Sequence, residues 1–217
     1  MTSGRFFFVF GLIISFSSGC GHTPVTRTLF DAIPSLSQKD VNSFNLNPNL
    51  RYLRVTVQNR TILMVQGYTE RSADGNIEIW YSNGGEVIRI QNGRVIGTAG
   101  LETDWVSVNY TSLPSWQSLK QASANYHRER DEMPGYRFGI KESVTIYPTP
   151  VPTNSKLVKT SAKYFRWYEE VSQNSPNNLP SARFAVREIG GVFQVAYAEQ
   201  CFTETYCLSW QLWPVGQ

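Results

Sequence analysis

The chain has 217 residues, 41% hydrophobic and 13% aromatic, which is enough for one sizeable core and unlike a disordered tail. Only 17% are charged, below the roughly 25% of ordinary soluble domains, and the weight of Trp, Tyr and Phe favours sheets over an all-α bundle. A formal charge of +3 without a basic stripe argues against nucleic acid as a partner, and two histidines with three scattered cysteines supply no metal-ligand spacing.

Phe6 to Phe16 form an uncharged apolar run, preceded by Arg5 and followed by Ser17, Ser18 and Gly19. That is a secretory signal pattern, shorter than the roughly 17 to 25 residues a spanning helix needs. Ser17-Ser18-Gly19-Cys20 resembles a bacterial lipobox, with Ser17 where that motif usually has Leu. The resemblance implies cleavage before Cys20 and lipidation of its thiol, so residues 1–19 are expected to be a signal peptide and 20–48 a lipidated tether. Each buried methylene contributes about 0.8 kcal/mol, so acyl chains such as palmitate would hold the membrane without help from surface charge. Gly21 after the cysteine resembles lipoproteins sorted to the outer membrane, facing the periplasm. Within the tether, Ser37-Gln38-Lys39-Asp40 has capping-box spacing ahead of Val41 and Phe44 and predicts one short helix.

From Arg51 the apolar period changes to two. Tyr52 to Val57 and Ile62 to Gln66 read as a hairpin with its turn over Gln58-Asn59-Arg60-Thr61; Asn76 to Tyr81, Glu86 to Gln91 and Arg94 to Thr98 continue it as a meander. Asn92-Gly93 is the strongest local turn signal, because a type I′ turn needs positive φ at both central residues. Thr103 to Tyr110 predicts another strand. Leu113 to Glu132 is irregular and leaves a short helix or a long loop open. Tyr136 to Tyr147 resumes the strand pattern and ends at Pro148 to Pro152, a stiff connector expected to separate two halves of the sheet structure. Leu157 to Val171, Ala182 to Ile189, Val192 to Gln200 and Cys207 to Trp213 complete the strands. The expected fold for 49–217 is mainly β: antiparallel meander sheets forming a sandwich or partly closed barrel, with one or two short helices. Cys201 and Cys207 flank the last turn and suit a disulfide; a reducible redox pair is the alternative, although C-x-x-C spacing is missing.

The segments NLRYLRVTVQNRTILMVQGY and IEIWYSNGGEVIRIQNGRVIGTAGLETDW resemble the YjbF/GfcB family of bacterial lipoproteins, associated with exopolysaccharide and group 4 capsule production. The likeness is carried by Trp80, Ser82, Asn83, Gly84, Asn92, Gly93, Arg94, Val95, Gly100 and Leu101, over about Asn49 to Trp105. The resemblance implies an outer-membrane-anchored periplasmic lipoprotein assisting polysaccharide production or export, beside an outer-membrane β-barrel and periplasmic export proteins.

Most of those residues are explained by folding: Gly84, Gly85 and Gly93 by turn geometry, Trp80 by burial. Arg94 follows a tight turn and is expected at the sheet rim, paired with Glu102 or Asp104 or meeting an acidic glycan. Trp167, Trp210 and Trp213 are candidate glycan or partner contacts, against a core role for at least some of them. Carboxylates such as Glu129, Asp131, Glu132, Glu169 and Glu170 read as exposed clusters without the fixed separation a glycosidase pair needs, and His127 reads as exposed. No catalytic, metal or cofactor site is assigned. An envelope glycan-modifying enzyme and a general envelope-assembly scaffold are the rival functions.

Overall fold

The computed structural model describes residues 41–119, 122–173 and 179–216. The expected signal peptide, Cys20, and the start of the expected helix at Ser37 lie outside them. Twelve strands occur among the described residues: β1 (Tyr52–Val57), β2 (Arg60–Glu70), β3 (Ile77–Ser82), β4 (Val87–Gln91), β5 (Arg94–Ala99), β6 (Asp104–Thr111), β7 (Ala124–Met133), β8 (Arg137–Thr149), β9 (Arg166–Gln173), β10 (Ala182–Ile189), β11 (Val192–Cys201) and β12 (Cys207–Trp213). They form one antiparallel sheet in the order β5-β4-β3-β2-β1-β12-β11-β10-β9-β8-β7-β6.

Because β1 pairs with both β2 and β12, spatial order follows chain order, and the two edges β5 and β6 meet to make a nearly closed barrel. At the seam, the Trp105 backbone N–H donates to Thr98 Oγ1 at 3.0 Å and the Tyr110 hydroxyl donates to the Val95 carbonyl at 3.1 Å. A Cβ at Gly97 would lie 3.3 Å from the Val106 carbonyl oxygen, so the missing side chain lets the two edges approach.

The hairpins follow the local sequence signals. Asn92 and Gly93 have φ of 50° and 77°, the left-handed pair that a type I′ turn requires. Inward positions carry the main core, including Leu53, Met64, Trp80, Trp105, Val144, Phe184 and Trp210. The strand β7 lies where a loop or helix was open, and among the described residues the one helical element is a 3₁₀ turn at Ala162–Tyr164. The short helix left open over Leu113 to Glu132 is corrected accordingly, while the one expected from Ser37 begins outside the described residues.

The proline connector does not divide the sheet, which runs unbroken from β8 to β9. Residues 150–165 instead form a strap across the outside of the barrel. The Lys156 N–H donates to the Tyr197 hydroxyl at 2.8 Å, and the Gln211 side chain grips both the N–H and C=O of Val158 at 3.1 and 3.0 Å. Leu157, Ala162 and Phe165 pack on outward-facing Trp167, Ala185 and Tyr197. That packing removes Leu157 to Phe165 from the expected strand, which begins at Arg166.

Alternation along the chain puts the start of β1, the Asn92-Gly93 and Gly190-Gly191 turns and the β6–β7 connection at one end, called here the entry end. Cys201 and Cys207 lie at the far end as directly opposed partners of β11 and β12, and they form the disulfide.

Candidate functional site

The barrel interior is not wholly apolar. Among the described residues six charged side chains are buried, Arg94, Arg128, Arg130, Glu132, Glu142 and Glu170, three of each sign. The pattern originates in β7, where Tyr126, Arg128, Arg130 and Glu132 point inward while Asn125, His127 and Glu129 are exposed. A charge in such surroundings needs a partner, because the effective desolvation penalty is several kcal/mol per ion. Each has one. Arg94 Nε donates to Glu170 Oε1 at 2.7 Å, Arg128 Nε to Glu142 Oε2 at 2.6 Å, and Arg130 Nε to Glu132 Oε1 at 2.7 Å, with Arg130 also contacting Glu142.

Aromatic faces complete the shell. Arg94 lies 4.1 Å over the Trp116 ring, and Arg128 and Arg130 lie 4.7 and 4.9 Å from Trp105. Burial is the largest single influence on Arg94 and Arg128 and acts to lower both pKa values, but Glu170 and Glu142, acting together with Tyr110 and Tyr126, hold both above their ordinary value. Burial pushes the Tyr110 hydroxyl up to about 12 and Tyr126 well above its usual value.

At the entry end a cavity of about 770 Å³ opens to solvent between exposed Asp74, Asn109 and Gln117. Its inner surface is formed by Arg94 and Trp116, and an apolar side by Leu113, Pro114, Val192 and Phe193. Two local features build it. The Asn92-Gly93 turn folds across the mouth so closely that a Cβ on Gly93 would lie 2.1 Å from Val195 Cγ2. The β6–β7 connection inserts Trp116, whose Nε1 donates to the Asn92 carbonyl at 2.8 Å and whose ring packs 5.3 Å from Tyr168 and from Phe184. A second recess of about 380 Å³, also lined by Asn92, Trp116, Val192 and Phe193, adjoins it.

The sequence-marked residues are distributed as follows. Arg94 is 1% exposed and paired with Glu170, which corrects both the rim position and the expected partners. Asp104 instead accepts from Thr98, Gly100 and Leu101, so Gly100 and Leu101 mark a turn held by a carboxylate. Trp80 is in the core, and the left-handed position of its neighbouring turn is Gly85, φ 92°, rather than Gly84. The aromatic platform is also corrected: Trp210 is inside the main core, Trp213 packs with Tyr52 and Val65, and Trp167 is covered by the strap, all buried. Glu132 and Glu170 are buried rather than exposed, while His127 is exposed. Sequence reasoning missed the cavity and the ion network; opposite charges at alternate positions 128, 130 and 132 were the available signal. Among the described residues no group of three His, Cys, Asp or Glu is placed to hold a metal ion.

A family model described as "Group 4 capsule polysaccharide lipoprotein gfcB, YjbF" matches residues 31–194. No curated protein matches the chain. Among solved structures, the hypothetical lipoprotein YmcC from Escherichia coli (K12) is similar, with a TM-score of 0.58 at 14% identity, covering 89% of this chain and 97% of that one. That likeness speaks for the fold.

Proposed function

The chain belongs to the YjbF family of group 4 capsule polysaccharide lipoproteins, and from that premise we propose a non-catalytic accessory role in producing or exporting a capsule or exopolysaccharide. In this reading the protein is anchored in the outer membrane through Cys20, faces the periplasm, and works beside an outer-membrane β-barrel and periplasmic export proteins. The observation that carries the non-catalytic part is the commitment of Glu132, Glu142 and Glu170 to arginine pairs inside the barrel. A glycosidase needs two carboxyl groups facing one sugar across about 5 to 9.5 Å, one of them free to give up a proton. Carboxylates that balance buried guanidinium groups serve the fold instead.

The outer surface supports attachment by lipid rather than insertion of strands. Outward positions of β7 and β8 form polar cross-strand pairs, Thr145 Oγ1 donating to Asn125 Oδ1 at 2.8 Å and Lys141 3.7 Å from Glu129, where a membrane barrel carries an apolar band. No described helix is long and apolar enough to cross a membrane.

Two measurements test the reading. Metabolic palmitate labelling is expected in the wild type and lost in Cys20→Ala, with the variant moving to the soluble periplasmic fraction; persistent labelling contradicts the anchor. Purified protein incubated with the exopolysaccharide of its own cell is expected to leave the chain-length distribution unchanged. Cleavage that disappears on replacing one carboxylate would instead establish the enzyme.

A further inference from the structure

We propose that the entry-end cavity is a binding site for a neutral saccharide, which Arg94 contacts from within through Nη2; this rests on the capsule-related reading above. The first observation is an incomplete hydrogen-bond set. Arg94 is 1% exposed, its Nε is bonded to Glu170, and Nη2 has no hydrogen-bond partner. Leaving a buried donor without an acceptor costs about 1–3 kcal/mol, more when it is charged, and Arg94 is among the residues that line the cavity.

Charge selects the kind of acceptor. Glu170 already balances Arg94 and Asp74 adds a carboxylate at the mouth, while Glu78 in the adjoining recess is balanced by Arg51 at 2.9 Å. A polyanion would enter against this field, whereas a hydroxyl oxygen takes the free N–H without bringing charge. The remaining walls suit the same ligand. Asn109 and Gln117 carry amides that both donate and accept, matching sugar hydroxyls, and Leu113, Pro114 and Phe193 offer an apolar side to the C–H face of a ring. A volume of about 770 Å³ lies within the range of small-ligand sites. The Trp116 ring is not the sugar platform, because it is packed against Arg94, Tyr168 and Phe184.

The test uses the full chain, purified in detergent, and calorimetric titration with hexasaccharides of glucose, galactose and mannose beside an oligogalacturonate of equal length. At least one neutral probe is expected to bind saturably, and the acidic one at least tenfold more weakly. Titration followed by NMR should shift the indole N–H of Trp116 and leave that of Trp167, bonded to the Ala162 carbonyl outside the barrel, in place. Since Arg94 variants disturb the fold, the discriminating variant is Asn109→Ala with Gln117→Ala at the exposed rim. It should melt like the wild type and bind about tenfold more weakly. No saturable binding by any neutral probe, tighter binding of the oligogalacturonate, or binding that ignores the rim variant overturns the proposal. Failure here is distinct from failure of the family-based reading: export that requires the gene while the purified protein ignores every probe rejects the site alone, and sugar binding without any effect of gene deletion rejects the export role alone.

Discussion

Arg94 leaves the Asn92-Gly93 turn and runs into the barrel, where Glu170, 76 positions along the chain, meets it at 2.7 Å. Removing one member of such a pair leaves an uncompensated buried charge, which costs about 3–5 kcal/mol. Glu170→Gln is therefore expected to lower unfolding free energy by about that amount in denaturant titration. Arg94→Met combined with Glu170→Leu should recover most of the loss, since no charge is then stranded. A neutral single variant would mean that the pair is solvated. The buried tyrosines give a pH signature. Tyr110 is pushed up to about 12, chiefly by burial, whereas an unfolded tyrosine loses its proton near pH 10. Between those values the unfolded chain has released a proton that the folded chain retains, so stability falls as pH rises through the window. Melting temperature should fall from about pH 10 towards pH 12, and less steeply in Tyr110→Phe. Sequence marked Arg94 as unusual, but not its partner, because nothing local connects positions 94 and 170.

At the scale of elements, hairpins were legible wherever turn chemistry and alternation agreed. Ala182–Ile189 and Cys207–Trp213 coincide with their expected strands, and Cys201 and Cys207 pair across the last hairpin. β7 was hidden because its inward residues include Arg128, Arg130 and Glu132, which a hydrophobic period cannot reveal. The strap was hidden for the opposite reason: its prolines signal a linker, while what holds it is Tyr197 and Gln211 on strands far along the chain. The cavity depends on the Asn92-Gly93 turn in a way that can be measured. Gly93→Ala places a Cβ in the left-handed region and 2.1 Å from Val195 Cγ2, so a loss of about 2 kcal/mol or more is expected in thermal or chemical unfolding. Adding Val195→Ala removes the collision but not the unfavourable φ, so the double variant should lose less than the sum of the singles. Strict additivity would show that turn and wall do not touch.

On the scale of the whole molecule, a nearly closed barrel solves the edge problem of a long meander by joining β1 to β12 and bringing β5 to β6. Composition and alternation made the mainly-β class legible, but choosing barrel over sandwich required the β1–β12 pairing between distant ends of the chain. Closure also leaves the cavity of about 770 Å³ open at the end where the described chain enters, the end nearest in sequence to Cys20. The proposed role follows from that arrangement and from the family: a water-facing barrel, held to the envelope by lipid, that handles polysaccharide without cutting it. The most direct test is to delete the gene and measure surface and intracellular polysaccharide separately in the same cells. The proposed role predicts that surface polysaccharide is lost while intracellular synthesis continues, and that wild type restores the surface material where Cys20→Ala does not. Unchanged surface polysaccharide in the deletion strain would contradict it.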